Sequence, residues 1–163
     1  MDIPVGSEVF KISTVTVNTL AETQFIYIKF LAVNNGLPGD VLHDLEDVHI
    51  TTSELIGSVS GIPFYRNTLE LPTPVELEGP ARFWMQVDTD ALGWEASSQN
   101  AIGLTCAVRN DASNQQWNIH WSEYEMVYKL EGECTVLSTG EVFKNTASIY
   151  PNPFNDVLTV QKS

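Results

Sequence analysis

The chain has 163 residues, 43% of them hydrophobic and 18% charged, which suits one core of ordinary size with a short appendage and excludes disorder over its whole length. With 21 Asp and Glu against 8 Lys and Arg, the formal charge is -13, so a phosphate backbone or an anionic membrane surface would repel it and nucleic acid is not an expected partner. No window approaches the roughly 20 apolar residues of a membrane-spanning helix, so membrane insertion is not expected either.

Met1-Asp2-Ile3-Pro4 lacks the basic and apolar regions of a signal peptide, so an exported form of the chain would be one already trimmed. Beyond it, short β-rich runs alternate with turn residues and no 3.6-residue period appears. Phe10 to Asn18 is the first expected strand, with Phe10, Ile12, Val15 and Val17 as its apolar positions. Gln24 to Val33 alternates with apolar residues on both faces, which predicts a central strand. Asn34 to Gly39 is dense in turn formers, and Val48 to Val59 reads as one or two strands. Thr68 to Leu77 alternates but contains Pro72 and Pro74, which cannot donate to a ladder, so this element lies at an edge or bends. Arg82 to Val87 puts Phe83, Met85 and Val87 on one face and Trp84 and Gln86 on the other. Ile102 to Val108, the polar loop 109–116 and the run Trp117 to Leu130 complete the domain near Cys134. The expected fold is all-β, an antiparallel β-sandwich of the jelly-roll kind.

Catalytic chemistry finds little support in the sequence. His43, His49 and His120 are scattered, with no HExxH and no zinc spacing. Gly57-Ser58-Val59-Ser60-Gly61 does not fit the nucleophile elbow and reads as a strand-ending turn. Asp88 with Asp90, or Glu123 with Glu125, lie two apart on one strand face, a pairing that chance supplies in so acidic a chain. No catalytic residue, resident cofactor or metal cluster is therefore expected. A structural calcium ion, held by Asp40, Asp44 and Asp47 or by Asp88 and Asp90, stays open because oxygen-rich loops suit that ion, although neither group has EF-hand spacing. Cys106 and Cys134 admit two readings: one disulfide closing a loop of about 29 residues, worth about 3 to 4 kcal/mol on the chain-entropy model, or two thiols packed in the core.

The four tryptophans carry the ligand hypothesis. Sugar rings present apolar C–H faces that stack on Trp or Tyr, while amides and charged groups bond the hydroxyls. Trp84, Trp94, Trp117 and Trp121, with Asn118, are the candidate ligand-binding residues, and Trp94 and Trp117 adjoin polar loops. The opposing reading is that most of them fill the core, as Trp usually does.

Past the core, Ile149 to Val160 reads IYPNPFNDVLTV. Tyr150-Pro151-Asn152-Pro153 followed by Val157, Leu158 and Val160 resembles the opening of the C-terminal sorting domain of the type IX secretion system. Taken without the resemblance, the same residues describe a Pro-bounded strand. The resemblance implies a secreted or cell-surface protein of a Bacteroidota-type bacterium whose complete sorting domain meets the secretion machinery; here only the first strand of such a domain is present. The segments Gly36 to Leu42, Leu71 to Val87 and Gly93 to Ser98 resemble, in order, motifs of non-catalytic sandwich modules that precede such domains, which implies an accessory or adhesive role. The expected organisation is a sandwich over 1–134, a linker over 135–147 and the start of a sorting domain over 148–163. Two functions follow as alternatives: a carbohydrate-binding module, or a structural, adhesin-type spacer acting through protein contacts.

Overall fold

The computed structural model describes residues 9–45, 48–79, 81–97, 106–109, 116–119, 124–135 and 144–149. The described strands are β1 (Val9–Leu20), β2 (Ile26–Asn34), β3 (Leu37–Asp44), β4 (Thr52–Val59), β5 (Ile62–Glu78), β6 (Phe83–Thr89), β7 (Gly93–Trp94), β8 (Ala96–Ser97), β9 (Ala107–Arg109), β10 (Trp117–Ile119), β11 (Glu125–Met126), β12 (Tyr128–Thr135) and β13 (Lys144–Ile149). No helix occurs among the described residues. The larger sheet runs in the order β13-β12-β1-β5-β4, with β7 also paired to β1, and the smaller runs β3-β2-β6. All the pairings are antiparallel.

The core lies between the two sheets. Phe10, Ile12, Val15, Val17, Leu69, Val75, Leu77 and Leu130 come from the larger sheet, and Ile26, Ile28, Phe30 and Phe83 from the smaller. The chain is thus all-β and sandwich-like, as its alternating runs predict, and β2 is indeed the central strand of its sheet.

One irregularity explains the sequence of β1. Its buried residues switch from even positions (Phe10, Ile12) to odd ones (Val15, Val17), which an unbroken strand cannot do. The switch occurs at Ser13, where the register with β12 jumps from Ile12↔Gly132 to Thr14↔Glu131. A bulge of this kind inserts one residue and bends the strand. Opposite it, Gly132 meets the β1 backbone so closely that an added Cβ would stand 1.9 Å from the Lys11 carbonyl oxygen.

The same break locates the prolines of β5. Ile12 pairs with Val75 and Thr14 with Glu70, leaving Leu71 to Pro74 outside the register. Pro72 and Pro74 fall in this excursion, and β4 covers β5 only as far as Thr68. The element therefore bends and, over its second half, has no second strand partner among the described residues, which fits its prolines.

Two hairpins close on two-residue turns. Asn35-Gly36 (φ 51° and 83°) joins β2 to β3, and Ser60-Gly61 (φ 51° and 81°) joins β4 to β5. Positive φ at both central residues matches the twist of the strands. The turn-rich stretch 34–39 is consequently shorter as a turn than its composition suggests, since Pro38 and Gly39 already belong to β3, an edge strand. The run Trp117 to Leu130 is not one strand but parts of three, β10, β11 and β12. Lys144–Ile149 pairs with β12 from Leu130 to Thr135, so the larger sheet takes in 144–147, expected as linker, and 148–149, expected to open the sorting segment. Tyr150 to Ser163 lie outside the described residues.

Candidate functional site

Alternation along β2 and β6 gives the smaller sheet two unlike faces. Ile26, Ile28, Phe30, Phe83, Met85 and Val87 pack toward the core. The intervening residues point outward, and Leu31, Trp84, Gln86 and Asp88 among them, with Phe25 just before β2, border a cavity of about 570 Å³ that Met85 and Val87 also reach. That size is within the range of about 300 to 1,000 Å³ usual for small-molecule sites.

Among the described residues, three short elements supply much of the remaining wall. The first is β7, whose Gly93 and Trp94 pair with Leu20 and Thr19 of β1. The Glu95 N–H donates to the Asn18 carbonyl at 2.9 Å, the Asn18 amide donates to Glu95 Oε2 at 2.6 Å, and the Val127 N–H donates to the Glu95 carbonyl at 2.9 Å. Trp94 itself donates from Nε1 to the Val127 carbonyl at 2.7 Å and packs against the core. Its ring is therefore a fixed wall.

The second element pairs β8 with β11, Ser97 opposite Glu125 and Ala96 opposite Met126, and brings Glu125 and Met126 to the cavity beside Tyr128. The third is the hairpin of β9 and β10. Trp117 is the cross-strand partner of Arg109, and the guanidinium carbon lies 5.4 Å from the Trp117 ring centroid. A cation over an indole face at that distance is attracted by the ring quadrupole. Both side chains border the cavity.

The structure thus brings Trp84, Trp94 and Trp117 together from three separate elements. All three are half-buried, which departs both from exposed platforms and from a fully packed core. Trp84 Nε1 is enclosed without an acceptor among the described residues. Asn118 is not brought into the cavity: alternation along β10 turns it away from Trp117, and its exposed amide donates to the Gln116 carbonyl at 3.2 Å. Trp121 lies outside the described residues.

Sequence reasoning did not single out Phe25, Arg109 or Tyr128 as site residues. Gln86 and Asp88 were legible, since they continue the period-two face that Trp84 begins. Arg109 was not, because its partnership with Trp117 depends on a hairpin whose register the sequence does not fix.

The carboxylates considered for calcium have separate engagements. Asp44 accepts from Lys29 Nζ at 2.7 Å, and Asp88 accepts from the Gln86 amide at 2.6 Å. Asp90 Oδ1 accepts from the Thr23 hydroxyl and from the Gln24 N–H at 3.0 Å. These bonds, the Thr23 hydroxyl first, hold the Asp90 carboxyl below the usual carboxylate range. Asp40 is exposed on β3, and Asp47 lies outside the described residues. Among the described residues no group of three or more His, Cys, Asp or Glu side chains is placed to hold a metal.

Of the histidines, Nε2 of His43 lies 3.0 Å from the Glu76 carbonyl oxygen, His49 is exposed, and His120 lies outside the described residues. Cys106 and Cys134 are not joined to each other in a disulfide. Cys106 borders the cavity and Cys134 packs against the core, and burial pushes both thiols above their ordinary pKa. Among the described residues no helix is long and apolar enough to cross a membrane. Compared with family models, curated proteins and solved structures, the chain shows no match.

Proposed function

We propose that the chain is a non-catalytic binding module of a secreted or cell-surface protein, and that its cavity takes carbohydrate. The observation that carries this reading is the convergence of Trp84, Trp94 and Trp117 on one concave site that also presents Gln86, Asp88, Arg109 and Glu125. Indole faces receive the C–H faces of sugar rings, and a few polar groups beside them orient the hydroxyls. Because the rings come from different elements, the site suits a chain end or a short segment of glycan better than the flat face of a polymer.

A binding role is also favoured over catalysis by what borders the cavity. The described lining contains neither His nor Ser, so among the described residues no nucleophile-and-base pair of the Ser-His kind borders the cavity. Export rests on the resemblance of Tyr150 to Val160 to a type IX sorting segment, whose complete form would meet the secretion machinery.

Titration of tryptophan fluorescence with a panel of soluble polysaccharides and oligosaccharides, with and without calcium, tests the reading. A saturable change that disappears in Trp117→Ala, without release of reducing ends, is the expected result. No saturable change with any sugar, in a folded protein, overturns it.

One observation favours the spacer reading as the second choice. The edge strand β4 is exposed along most of its length, with Leu55 at 60% and Val59 at 52% exposure, and unpaired strand edges with apolar side chains invite pairing with another chain.

A further inference from the structure

The polar lining of the cavity is unbalanced in charge. Among its described residues, Asp88 and Glu125 contribute two carboxylates and Arg109 one guanidinium, while Gln86 and Thr89 are neutral. The Arg109 guanidinium is held over Trp117, which shows that an indole face of this site carries a cation. Elsewhere Lys11, Lys29, Arg66 and Lys129 are engaged by Glu76, Asp44, Glu54 and Glu131, in a chain with a formal charge of -13. A cationic group entering the site is attracted by the carboxylates and by the ring quadrupoles together. A uronate or a sulfated sugar meets the opposite field.

We infer that the cavity selects a glycan bearing free amino groups, with the ammonium drawn to Asp88 and Glu125 and the sugar ring lying against the tryptophans. This rests on the carbohydrate reading and narrows it to one class. The hydroxyl pattern of a sugar is shared by neutral and charged chains, so hydrogen bonding alone does not separate them. The charge does.

A matched pair of ligands isolates that charge: oligomers of glucosamine, at a pH where the amines are protonated, and the same oligomers N-acetylated. Binding is read by calorimetry on the full chain at low and high salt. The expected result is affinity about tenfold higher for the free-amine oligomer, a preference that shrinks as salt screens it. Asp88→Asn together with Glu125→Gln removes the preference. Glu54→Gln, which neutralises an exposed acid on β4 in the other sheet, leaves it intact.

Equal or tighter binding of the N-acetylated oligomer overturns the charge selection while the carbohydrate reading stands. A preference that survives the double substitution, or survives Trp117→Ala, also overturns it, since the attraction is then to the acidic surface at large. Absence of binding by both oligomers and by every other sugar brings down the carbohydrate reading as well. The thermal midpoint of each variant shows that the fold is retained, and in wild type the salt dependence of the preference tests the same inference without any substitution.

Discussion

The two faces of the smaller sheet are built from the same two strands and have opposite fates. On β2, Ile26, Ile28 and Phe30 are closed off in the core, while Leu31, and Phe25 just before the strand, one residue out of phase, border an open cavity. On β6, Phe83 packs inward and Trp84 outward. A strand that is apolar on both faces is usually buried on both. Here, among the described residues, the second apolar face is covered mainly by short strands, β7, β8 with β11, and β9 with β10, which border the cavity. Apolar residues on the core face contribute to stability; those on the cavity face line the site proposed for a ligand.

The comparison breaks most visibly on the core side. Phe30 is wholly buried, so Phe30→Ala should cost about 3 to 5 kcal/mol in urea unfolding, from lost transfer energy and the cavity left behind. A smaller but still large effect is expected at Gly132. The group that blocks a side chain there is the Lys11 backbone at the bulge, which cannot rotate away, so Gly132→Ala must shift β1 against β12 and should cost about 1 to 3 kcal/mol. A cost near zero in either variant would mean that the core side is as loosely specified as the cavity side.

Much of the inner face was legible in the sequence. The alternation of Phe83, Met85 and Val87, the two-faced run around Phe30 and the proline-broken strand at Pro72 and Pro74 are all local patterns, and they appear where expected. The cavity was legible only in part. Trp84 and Gln86 could be assigned to a common face, but the convergence of Trp94 and Trp117 on that face depends on contacts between elements of two or three residues. Such elements have no periodicity to read. Asn118 shows the limit from the other side: it neighbours Trp117 in the chain, and strand alternation is the reason it does not neighbour it in the site.

The end of β6 ties the two faces to the rest of the sandwich. Asp90 receives the Thr23 hydroxyl and the Gln24 N–H across the loop between β1 and β2, two residues beyond the cavity residue Asp88. These bonds favour the ionised carboxyl and lower its pKa in the folded state. Their contribution is therefore fully present above the unfolded value of about 4 and is lost as pH falls through the lower folded value. Asp90→Asn should be less stable than wild type at neutral pH, and the gap should close on acidification when unfolding is followed across the pH range. A gap that stays constant or widens toward low pH would show that the Thr23 contact does not depend on the charge.

The smallest effect on stability is expected on the cavity side, at Trp117. Its hairpin forms a sheet of its own, the ring is half-buried, and its defined partner is the Arg109 guanidinium, a contact worth about 0.5 to 1 kcal/mol at a partly exposed position. Trp117→Ala should therefore lower stability by about 1 kcal/mol or less, while abolishing the sugar-dependent fluorescence change and altering the iodide quenching of the remaining tryptophans. The same urea experiment applied to Phe30→Ala supplies the scale. If Trp117→Ala costs as much as Phe30→Ala, the outer face is a second core, its tryptophans are there to hold the fold, and the case for a binding cavity fails with the contrast between the two faces.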